Sequence, residues 1–421
     1  MEFGPILRAI RRNKVRYGLI VAEVALTLAV VANCVHMIRE ARREMAIPSG
    51  FDDANLIRVT STPFAEAFKE QGYRDNQREL DLRALRGIPG VKAASNTGFL
   101  PWQGGGSSME TRPLGSKGEM LRNQVYNVDE ASLATLGTQI IEGRNFTQEQ
   151  IRTDTERLRA LFAANRPVGS DGRPAEKFTQ DVIISKAFAN LLFQGGKALG
   201  KGLEDSDGDQ YRVIGVIDRF YNPYGWPIHE YVMFFANYAG SFDFGAPYLV
   251  RADPARRADV LASIEKTLLA VNDGRNVRVQ SIPEIKENFQ AGSALLVRIL
   301  SIVIFLLIFV TSLGIVGLTT FSVAERTRQI GTRRALGAQR KDILRYFLLE
   351  NWIVTTMGLT LGILLAYGLN VFLVSRVGGV RMPAGLVIAG VAFLWLTGLL
   401  ATYFPALRGA RVAPAVATRN V

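Results

Sequence analysis

The sequence predicts a membrane α-helical protein with four transmembrane helices and a large extracytoplasmic α+β domain. Four apolar stretches, at residues 17–38, 295–323, 343–374 and 384–404, are each long enough to cross about 30 Å of hydrocarbon at about 1.5 Å per residue. Residues 39–294 contain no run of that length. Lys and Arg precede the first stretch and separate the second from the third, and such clusters mark the cytoplasmic side of a membrane.

The composition favours a membrane protein and argues against a nucleic-acid partner. Of the 421 residues, 48% are hydrophobic, which is high for a soluble chain. The formal net charge is +12, but many of the basic residues lie beside apolar stretches, where membrane orientation and lipid headgroups explain them. Cys34 is the only cysteine, so an intrachain disulfide is impossible.

The N-terminal region predicts an uncleaved membrane helix. Residues 1–16 combine apolar and basic positions, as an amphipathic helix on the inner leaflet does. The apolar stretch from Tyr17 to Ile38 is longer than the core of a secretion signal, and charged residues follow it where a cleavage site would need small ones. We therefore expect a first transmembrane helix at 17–38, with His36 at its outer interface.

Two acidic residues fall within the predicted membrane helices. Glu23 lies in the first, and an ionisable group at membrane depth is a candidate functional site. The alternative is a Glu near the cytoplasmic interface that pairs with Arg or faces another helix, which satisfies the same energetic demand without a proton pathway. Glu350 lies near the cytoplasmic end of the third helix.

The extracytoplasmic residues 39–294 predict a domain of two lobes. Strand, helix and strand patterns follow one another at both ends of the domain, separated by a strand-rich insertion at about 100–246. Two β-α-β units divided in this way indicate a split ferredoxin-like module. The units comprise residues 55–60, 75–85 and 91–96, and residues 247–252, 258–271 and 277–282.

The insertion contains its own short elements. Residues 181–185 and 211–217 are apolar enough for buried strands, and 153–164 has helical spacing. Residues 166–177 predict a polar loop.

A basic segment at 324–342 joins the second and third membrane helices. Its flanks require a loop or short helix at a membrane surface, and its arginines place that surface in the cytoplasm. On charge alone it could simply anchor the topology. Read as a helix, it could gather Ile330, Ala335, Leu336 and Ala338 on one apolar side. An outer loop at 375–383 and a cytoplasmic tail at 405–421 complete the four-helix arrangement.

The order of residues in this segment resembles a family signature. Read as E-R-T-R-Q-I-G-T-R-R-A-L-G-A, residues 325–338 resemble the cytoplasmic signature of the FtsX/MacB family of ABC-transporter permeases. Thr332 departs from the aliphatic residue that is usual there. The family often has a Glu in the phrase that matches residues 347–350, so the resemblance implies that Glu350 is a structural partner for a nearby Arg. In that family the segment contacts the ATPase. The resemblance implies that the ATPase-coupling residues are Glu325, Arg326, Arg328, Ile330, Gly331, Arg333, Arg334, Ala335, Leu336, Gly337 and Ala338.

Shorter phrases in the insertion resemble the periplasmic core domain of MacB-like permeases. Their order and spacing along the chain carry the resemblance, since each phrase is short. They are Tyr126-Asn127-Val128-Asp129, Leu136-Gly137, Glu142-Gly143-Arg144-Asn145-Phe146, Val182-Ile183-Ile184-Ser185, Leu199-Gly200-Lys201 and Val213-Ile214-Gly215-Val216.

The resemblance implies a permease subunit of a mechanotransmission-type ABC transporter in the bacterial inner membrane, with both termini cytoplasmic and the large domain periplasmic. ATP hydrolysis by a separate ATPase would move that domain through stalk helices at 38–46 and 283–295 and drive efflux of a periplasmic substrate. Implied partners are ABC ATPase subunits, a second permease, a periplasmic adaptor with an outer-membrane duct, and membrane lipids. Lipoprotein release and FtsX-like regulation of an extracytoplasmic partner are the alternatives.

No catalytic, cofactor or metal site is expected in this chain. It lacks the G-x-x-x-x-G-K-[ST] phosphate loop, so ATP and Mg are expected to bind the partner ATPase. Two histidines, His36 and His229, are too few for a His-rich metal site. His229 ends an aromatic loop at 224–229, and no G-x-S-x-G elbow supports a hydrolytic site with it. We therefore expect a transporter subunit and not an enzyme.

Overall fold

The structure, a computed structural model, describes residues 10–97, 102, 107–163, 179–223, 229–239, 246–377 and 380–411. The chain divides into two compact units. The helical unit consists of Met1–Ala46 and Gly292–Val421, and the sheet unit of Ile47–Ala291. The predicted amphipathic helix at 1–16 and the tail at 405–421 are described only in part, and the predicted polar loop at 166–177 lies outside the described residues.

The elements are numbered in chain order. The helices are α1 (Lys14–Met45), α2 (Gln71–Arg86), α3 (Ser132–Leu136), α4 (Gln148–Ala163), α5 (Lys186–Phe193), α6 (Arg257–Val271), α7 (Ile282–Glu325), α8 (Thr327–Ala335), α9 (Arg340–Val377) and α10 (Ala384–Ala410). The strands are β1 (Leu56–Pro63), β2 (Val91–Asn96), β3 (Ser107–Pro113), β4 (Leu121–Val128), β5 (Ile140–Gly143), β6 (Thr179–Ser185), β7 (Gly202–Asp205), β8 (Gln210–Ile217), β9 (Val232–Ala236), β10 (Ala246–Ala252) and β11 (Arg275–Ser281).

The first sheet of the sheet unit has the strand order β11-β1-β10-β2, and its neighbours are antiparallel. Helix α2 connects β1 to β2, and α6 connects β10 to β11. Two β-α-β units interleaved in this order form the split ferredoxin-like arrangement. Both helices contribute to the core on one face of the sheet, where Val59, Leu85, Val250 and Ile264 are fully buried.

The second sheet is mixed and partly closes on itself. Its order is β5-β8-β6-β9-β4-β3-β7, with β4 parallel to β9 and β6 parallel to β8. Because β7 also pairs with β8, strands β8, β6, β9, β4, β3 and β7 form a ring. Val182 and Ile184 enter one hydrophobic cluster, whereas Ile183 between them enters another. This alternation shows that β6 is buried on both faces.

One hydrophobic core joins the two sheets. It contains Leu56 and Leu249 from the first sheet together with Tyr126, Ile183 and Phe234 from the second. The predicted fold class, four membrane helices with a large strand-rich α+β domain, is confirmed. The division into two lobes is not confirmed, because the sheets share this core.

A buried carboxylate lies where β2 and β4 end. Asp129 Oδ2 accepts a hydrogen bond of 2.7 Å from the Asn96 backbone N–H, and its Oδ1 accepts one of 2.7 Å from the Ser132 hydroxyl. The Ser132 hydroxyl also lies 2.8 Å from the Thr97 hydroxyl. Asp129 thus ties the strand that leaves the first sheet to the strand that ends in the second.

We expect Asp129 to make the stability of the sheet unit pH-dependent. Burial raises the pKa of Asp129 to about 6, above the value of about 4 for an exposed aspartate. Between these values the native state binds more protons than the unfolded state, so the free energy of unfolding falls as pH rises, by about 3 kcal/mol. Thermal unfolding of the full chain in detergent at pH 4 and 7 measures this pH dependence. Asp129→Asn should remove the contribution of Asp129 to the pH dependence. The exposed-site control Asp207→Asn should keep it, and an unchanged pH response in Asp129→Asn would contradict the assignment.

Four described helices, α1, α7, α9 and α10, are long and apolar enough to cross a membrane. Glycines bring α1 and α9 into close contact, since a Cβ at Gly358 would lie 2.8 Å from Val24 Cβ and 3.0 Å from the Val21 backbone oxygen. Gly362 approaches the Ala25 backbone in the same way. Gly317 and Gly368 make no such approach, because a Cβ at either position would have no atom within 4 Å among the described residues.

Gly358→Leu is therefore expected to disrupt the helical unit, whereas Gly368→Leu on the same helix should be tolerated. The Gly358 variant must separate α9 from the α1 backbone, and overpacking of this kind costs about 1–3 kcal/mol. A drop of about 3–10 °C in the melting temperature of the detergent-solubilised chain corresponds to that cost. Equal melting temperatures for the two variants would contradict the packing described here.

Candidate functional site

The basic segment forms the short helix α8, which is anchored inside the helical unit. Ile330 is 5% exposed, and Gly331 beside it is also buried. Ile330 packs in one cluster with Ile343 and Phe347 of α9 and with Ala406 of α10. One side of α8 is thus an internal surface of the unit.

Arg326, between α7 and α8, forms the centre of a polar cluster. Its guanidinium lies 3.2 Å from Glu350 Oε1 and donates a hydrogen bond of 2.9 Å to the Tyr346 hydroxyl. The Tyr17 hydroxyl of α1 donates a hydrogen bond of 2.5 Å to Glu350 Oε1. The cluster joins α1, the α7–α8 junction and α9, in agreement with the interpretation of Glu350 as a partner for a nearby Arg.

The low exposure of this ion pair makes both partners necessary. The side chains of Arg326 and Glu350 are 15% and 6% exposed. Removing one partner from a buried pair leaves an uncompensated charge, which costs about 3–5 kcal/mol. The Arg326–Glu350 pair therefore holds the α7–α8 junction against α9. Arg16 and Glu325 make a second, more exposed pair at 3.0 Å beside it.

Helix α8 ends in a Schellman motif. Gly337 has a φ of +99°. The Ala338 N–H donates to the Arg333 carbonyl at 3.0 Å, and the Gly337 N–H donates to the Arg334 carbonyl at 3.2 Å. This is the bond pattern that ends a helix at a left-handed residue. The turn leaves Leu336 83% exposed.

The predicted coupling residues therefore divide between two surfaces. The inner set comprises Arg326, Ile330 and Gly331, which contact or pack within the unit. Arg334 and Ala338 are half-buried. The outer set is exposed and comprises Glu325, Arg328, Arg333, Ala335, Leu336 and Gly337.

The predicted apolar side of Ile330, Ala335, Leu336 and Ala338 is wrong as a single surface. Ile330 and Ala335 are five residues apart, which is about 140° around a helix axis. Leu336 follows the last helical residue, so its direction is set by the terminal turn. Ile330 is therefore unavailable to a partner, and Leu336 is the exposed hydrophobic residue of the segment.

Glu23 faces α7. A Cβ at Gly314 would lie 2.6 Å from Glu23 Oε2, so the missing side chain at Gly314 provides the space for this carboxylate. Within the described ranges Glu23 makes no ion pair with an arginine. This placement agrees with the interpretation that it faces another helix. One turn further along, the Thr27 and Thr311 hydroxyls lie 2.7 Å apart and also link α1 to α7.

The tyrosines of the polar cluster were not anticipated from the sequence. Tyr346 precedes Glu350 by four residues on α9, a spacing that places two side chains on the same face of a helix. Tyr17 gave no comparable signal, because its contact with Glu350 depends on how α1 packs against α9.

The two histidines occupy structural positions. His36 is buried, and its Nε2 lies 2.9 Å from the carbonyl of Val380 in the predicted outer loop 375–383. His229 Nδ1 lies 3.0 Å from the Asn222 carbonyl, and its ring stacks on Tyr221. The rest of the aromatic loop, 224–228, lies outside the described residues.

Two family models match this chain. The model of the MacB-like periplasmic core domain matches residues 21–267, and that of the FtsX-like permease C-terminal domain matches residues 301–414. The second range contains the whole of α8 and the Arg326–Glu350 pair.

Relatives share this organisation along most of the chain. The uncharacterized ABC transporter permease YknZ of Bacillus subtilis is 26% identical over 367 residues, covering 86% of this chain and 82% of the relative. The macrolide export ATP-binding/permease protein MacB of Bdellovibrio bacteriovorus is 26% identical over 426 residues. That match covers 97% of this chain, which spans 60% of the length of the relative.

Two solved structures match more than half of the chain. The extracellular domain of YknZ matches with a TM-score of 0.33 and 18% identity, covering 54% of this chain and all of that domain. The periplasmic region of MacB from Actinobacillus actinomycetemcomitans matches with a TM-score of 0.35 and 13% identity, covering 59% of this chain and 98% of that region. The two family models together match most of the chain. The chain therefore belongs to the family of ABC transporter permeases that combine a MacB-like periplasmic core domain with an FtsX-like transmembrane domain.

Proposed function

We propose that this chain is the permease subunit of a mechanotransmission-type ABC transporter. A separate ATPase binds the outer face of α8, and its nucleotide cycle moves the extracytoplasmic domain to drive efflux of a periplasmic substrate. The observation that carries the proposal is the two-sided character of α8. Its inner side is fixed by Arg326 and Ile330, while Arg328 and Leu336 are presented outward.

The inner contacts explain how a force on α8 could reach other helices. Arg326 connects the α7–α8 junction to Glu350 on α9 and, through Glu350, to Tyr17 on α1. Ile330 packs against Phe347 of α9 and Ala406 of α10. Coupling at a distance requires an element with discrete arrangements that both sites can bias. We assign that role to α8 together with the helix ends it contacts.

The proposed topology places both termini and α8 in the cytoplasm of a bacterial inner membrane, and residues 39–294 in the periplasm. The basic flanks of α1 and the arginines of 326–334 support this orientation. ABC ATPase subunits are the partners implied by the family. A second permease, identical or a paralogue, a periplasmic adaptor and an outer-membrane duct complete the proposed assembly, which the export function named for the MacB relative supports.

Cysteine labelling and co-purification test this proposal. Cys34 is buried, so a cysteine introduced at Leu336 or Asp207 can be labelled selectively in intact cells. We expect a membrane-impermeant maleimide to label position 207 and not 336, and a cysteine at 336 to cross-link to the ATPase. Labelling of 207 only after cell lysis would overturn the topology. Co-purification of a cell-wall hydrolase in place of an adaptor and duct would overturn the efflux function.

A further inference from the structure

The face of the ferredoxin-like sheet that points away from α2 and α6 carries a row of polar side chains beside the core shared with the second sheet. Ile57 and Val59 of β1 are fully buried in the core against α2 and α6. Successive residues of a strand point to opposite faces, so Arg58 and Thr60 project from the other face. Both are half-buried there, in contrast to a freely solvated strand face.

The pairing of β1 with β11 brings two arginines together on this face. Arg58 is opposite Gln280, and Thr60 is opposite Arg278. Residues opposite each other in an antiparallel pair share a face, and diagonal neighbours are within reach of long side chains. Arg58 and Arg278 are such diagonal neighbours, because only the Val59–Val279 pair lies between the pairs to which they belong.

Both arginines line one concave surface of the sheet unit. Its volume is about 570 Å³, and Thr60, Gln280 and Glu265 of α6 also line it. Sites for small molecules commonly have volumes of about 300–1,000 Å³. The hydroxyl and amide groups can donate hydrogen bonds beside the two guanidinium groups.

The charges of Arg58 and Arg278 are not compensated within the described part of the sheet unit. Neither side chain forms an ion pair within 4 Å or a hydrogen bond there, and Glu265 lines the surface without pairing with either. Burial, together with the nearby charge of Arg278, lowers the pKa of Arg58. This surface thus brings together two like charges, and burial disfavours the charge of Arg58.

The two most buried arginines described in this unit have carboxylate partners, since Arg275 pairs with Asp81 and Arg78 lies 2.7 Å from Asp75. Arg58 is half-buried and has no such partner among the described residues. A bound anion would supply the missing negative charge.

We propose that Arg58 and Arg278 form a binding site for an anion that carries a phosphate or carboxylate group, on a small molecule or on a lipid headgroup. The planar guanidinium groups hold the anion through paired hydrogen bonds. Thr60 and Gln280 contribute further donors, and Glu265 opposes binding by its charge. The site belongs to the sheet unit alone, so its existence does not depend on the proposed coupling to an ATPase.

Binding of inorganic phosphate to the full chain in neutral detergent tests the site without an ATPase. Phosphate should raise the melting temperature at constant ionic strength, with chloride as the reference salt. Arg58→Gln and Arg278→Gln should each weaken the apparent affinity at least about tenfold. Glu265→Gln should strengthen it severalfold, because a repelling charge is removed. Arg256→Gln, an exposed arginine away from the surface, is the matched control and should bind as the parent does.

Stability without phosphate separates a binding role from a structural one. Arg58→Gln relieves repulsion between like charges, so its melting temperature should equal or exceed that of the parent. A lower melting temperature for both arginine variants would overturn the proposal in favour of a structural role. Equal phosphate affinity in the parent, Arg58→Gln and Arg278→Gln would overturn it as well.

Vesicles distinguish the two sources of the anion. The chain is reconstituted in phosphatidylcholine vesicles with or without phosphatidylglycerol, and its phosphate affinity is measured again. If phosphatidylglycerol weakens the apparent phosphate affinity of the parent but not that of Arg278→Gln, the result supports the site and assigns it to a lipid headgroup. Unchanged phosphate affinity, still dependent on Arg58 and Arg278, supports the site and assigns it to a soluble anion.

Discussion

Leu336→Asp is expected to abolish the stimulation of ATP turnover that an assembled complex of this permease and its ATPase shows, with a loss of at least about tenfold. The side chain is 83% exposed and follows a helix end fixed by Gly337. An exposed hydrophobic residue next to arginines has the composition of an interface anchor with a polar rim. Aspartate there would bury an unpaired charge on docking. ATP turnover in proteoliposomes, compared with the detergent-solubilised ATPase alone, measures the loss.

The control for this experiment is Gln339→Asp, which introduces the same charge three residues away at an exposed position that is not one of the predicted coupling residues. It should retain stimulated turnover to within about twofold, as surface substitutions usually do. Far-UV circular dichroism and the melting temperature should match the parent in both variants, because neither side chain is packed. Normal turnover in Leu336→Asp would reject the outer face of α8 as the docking surface.

Asp81→Ala is expected to destabilise the sheet unit by about 3–5 kcal/mol, because it leaves the buried guanidinium of Arg275 without its counter-charge. The side chains of Arg275 and Asp81 are 0% and 1% exposed. Asp81 also accepts hydrogen bonds of 2.7 Å from the Tyr248 hydroxyl and 2.9 Å from the Gln77 amide. Hydrogen exchange of the β1 and β11 amides in the full chain should rise first, since these strands flank the pair.

Two comparison variants make this result specific. Glu66→Ala removes a pair with Lys69 whose side chains are 83% and 76% exposed, and it should cost less than about 1 kcal/mol. The double variant Asp81→Leu with Arg275→Met replaces both charges by apolar groups and should recover much of the loss. Similar exchange rates in Asp81→Ala and Glu66→Ala would show that the pair does not hold the module together.

Local periodicity was sufficient to predict the elements of the ferredoxin-like module. The strand expected at Val91–Asn96 has those same bounds, and the helix expected at 258–271 begins at Arg257. In this module the turn-forming residues directly follow the helices and strands that they end. The membrane helices were likewise anticipated, although α1 and α9 extend beyond their apolar stretches at both ends because charged residues continue the helices.

Contacts between distant parts of the chain could not be predicted in the same way. Asp81 and Arg275 are 194 positions apart, and no local pattern distinguishes them from other charged residues. The closure of the second sheet depends on β7 pairing with both β3 and β8. The burial of Ile330 could not be recognised from the sequence, because it depends on where α9 and α10 pack. In each case, the fold of the whole chain and not the local sequence determines which residues or strands contact each other.

The strand order β11-β1-β10-β2 has a consequence for synthesis on the ribosome. Strand β1 emerges early, but its two neighbours in the sheet are β10 and β11, which are made only after residues 107–236 have supplied all seven strands of the second sheet. Nascent β1 therefore has two open edges while most of the domain is translated, and unpaired edges invite wrong pairing. The last strand to appear, β11, is followed directly by α7. The module can thus close only after β11 has been made, shortly before the second membrane helix follows, so chaperones have most of the translation of the domain in which to protect the open edges of β1.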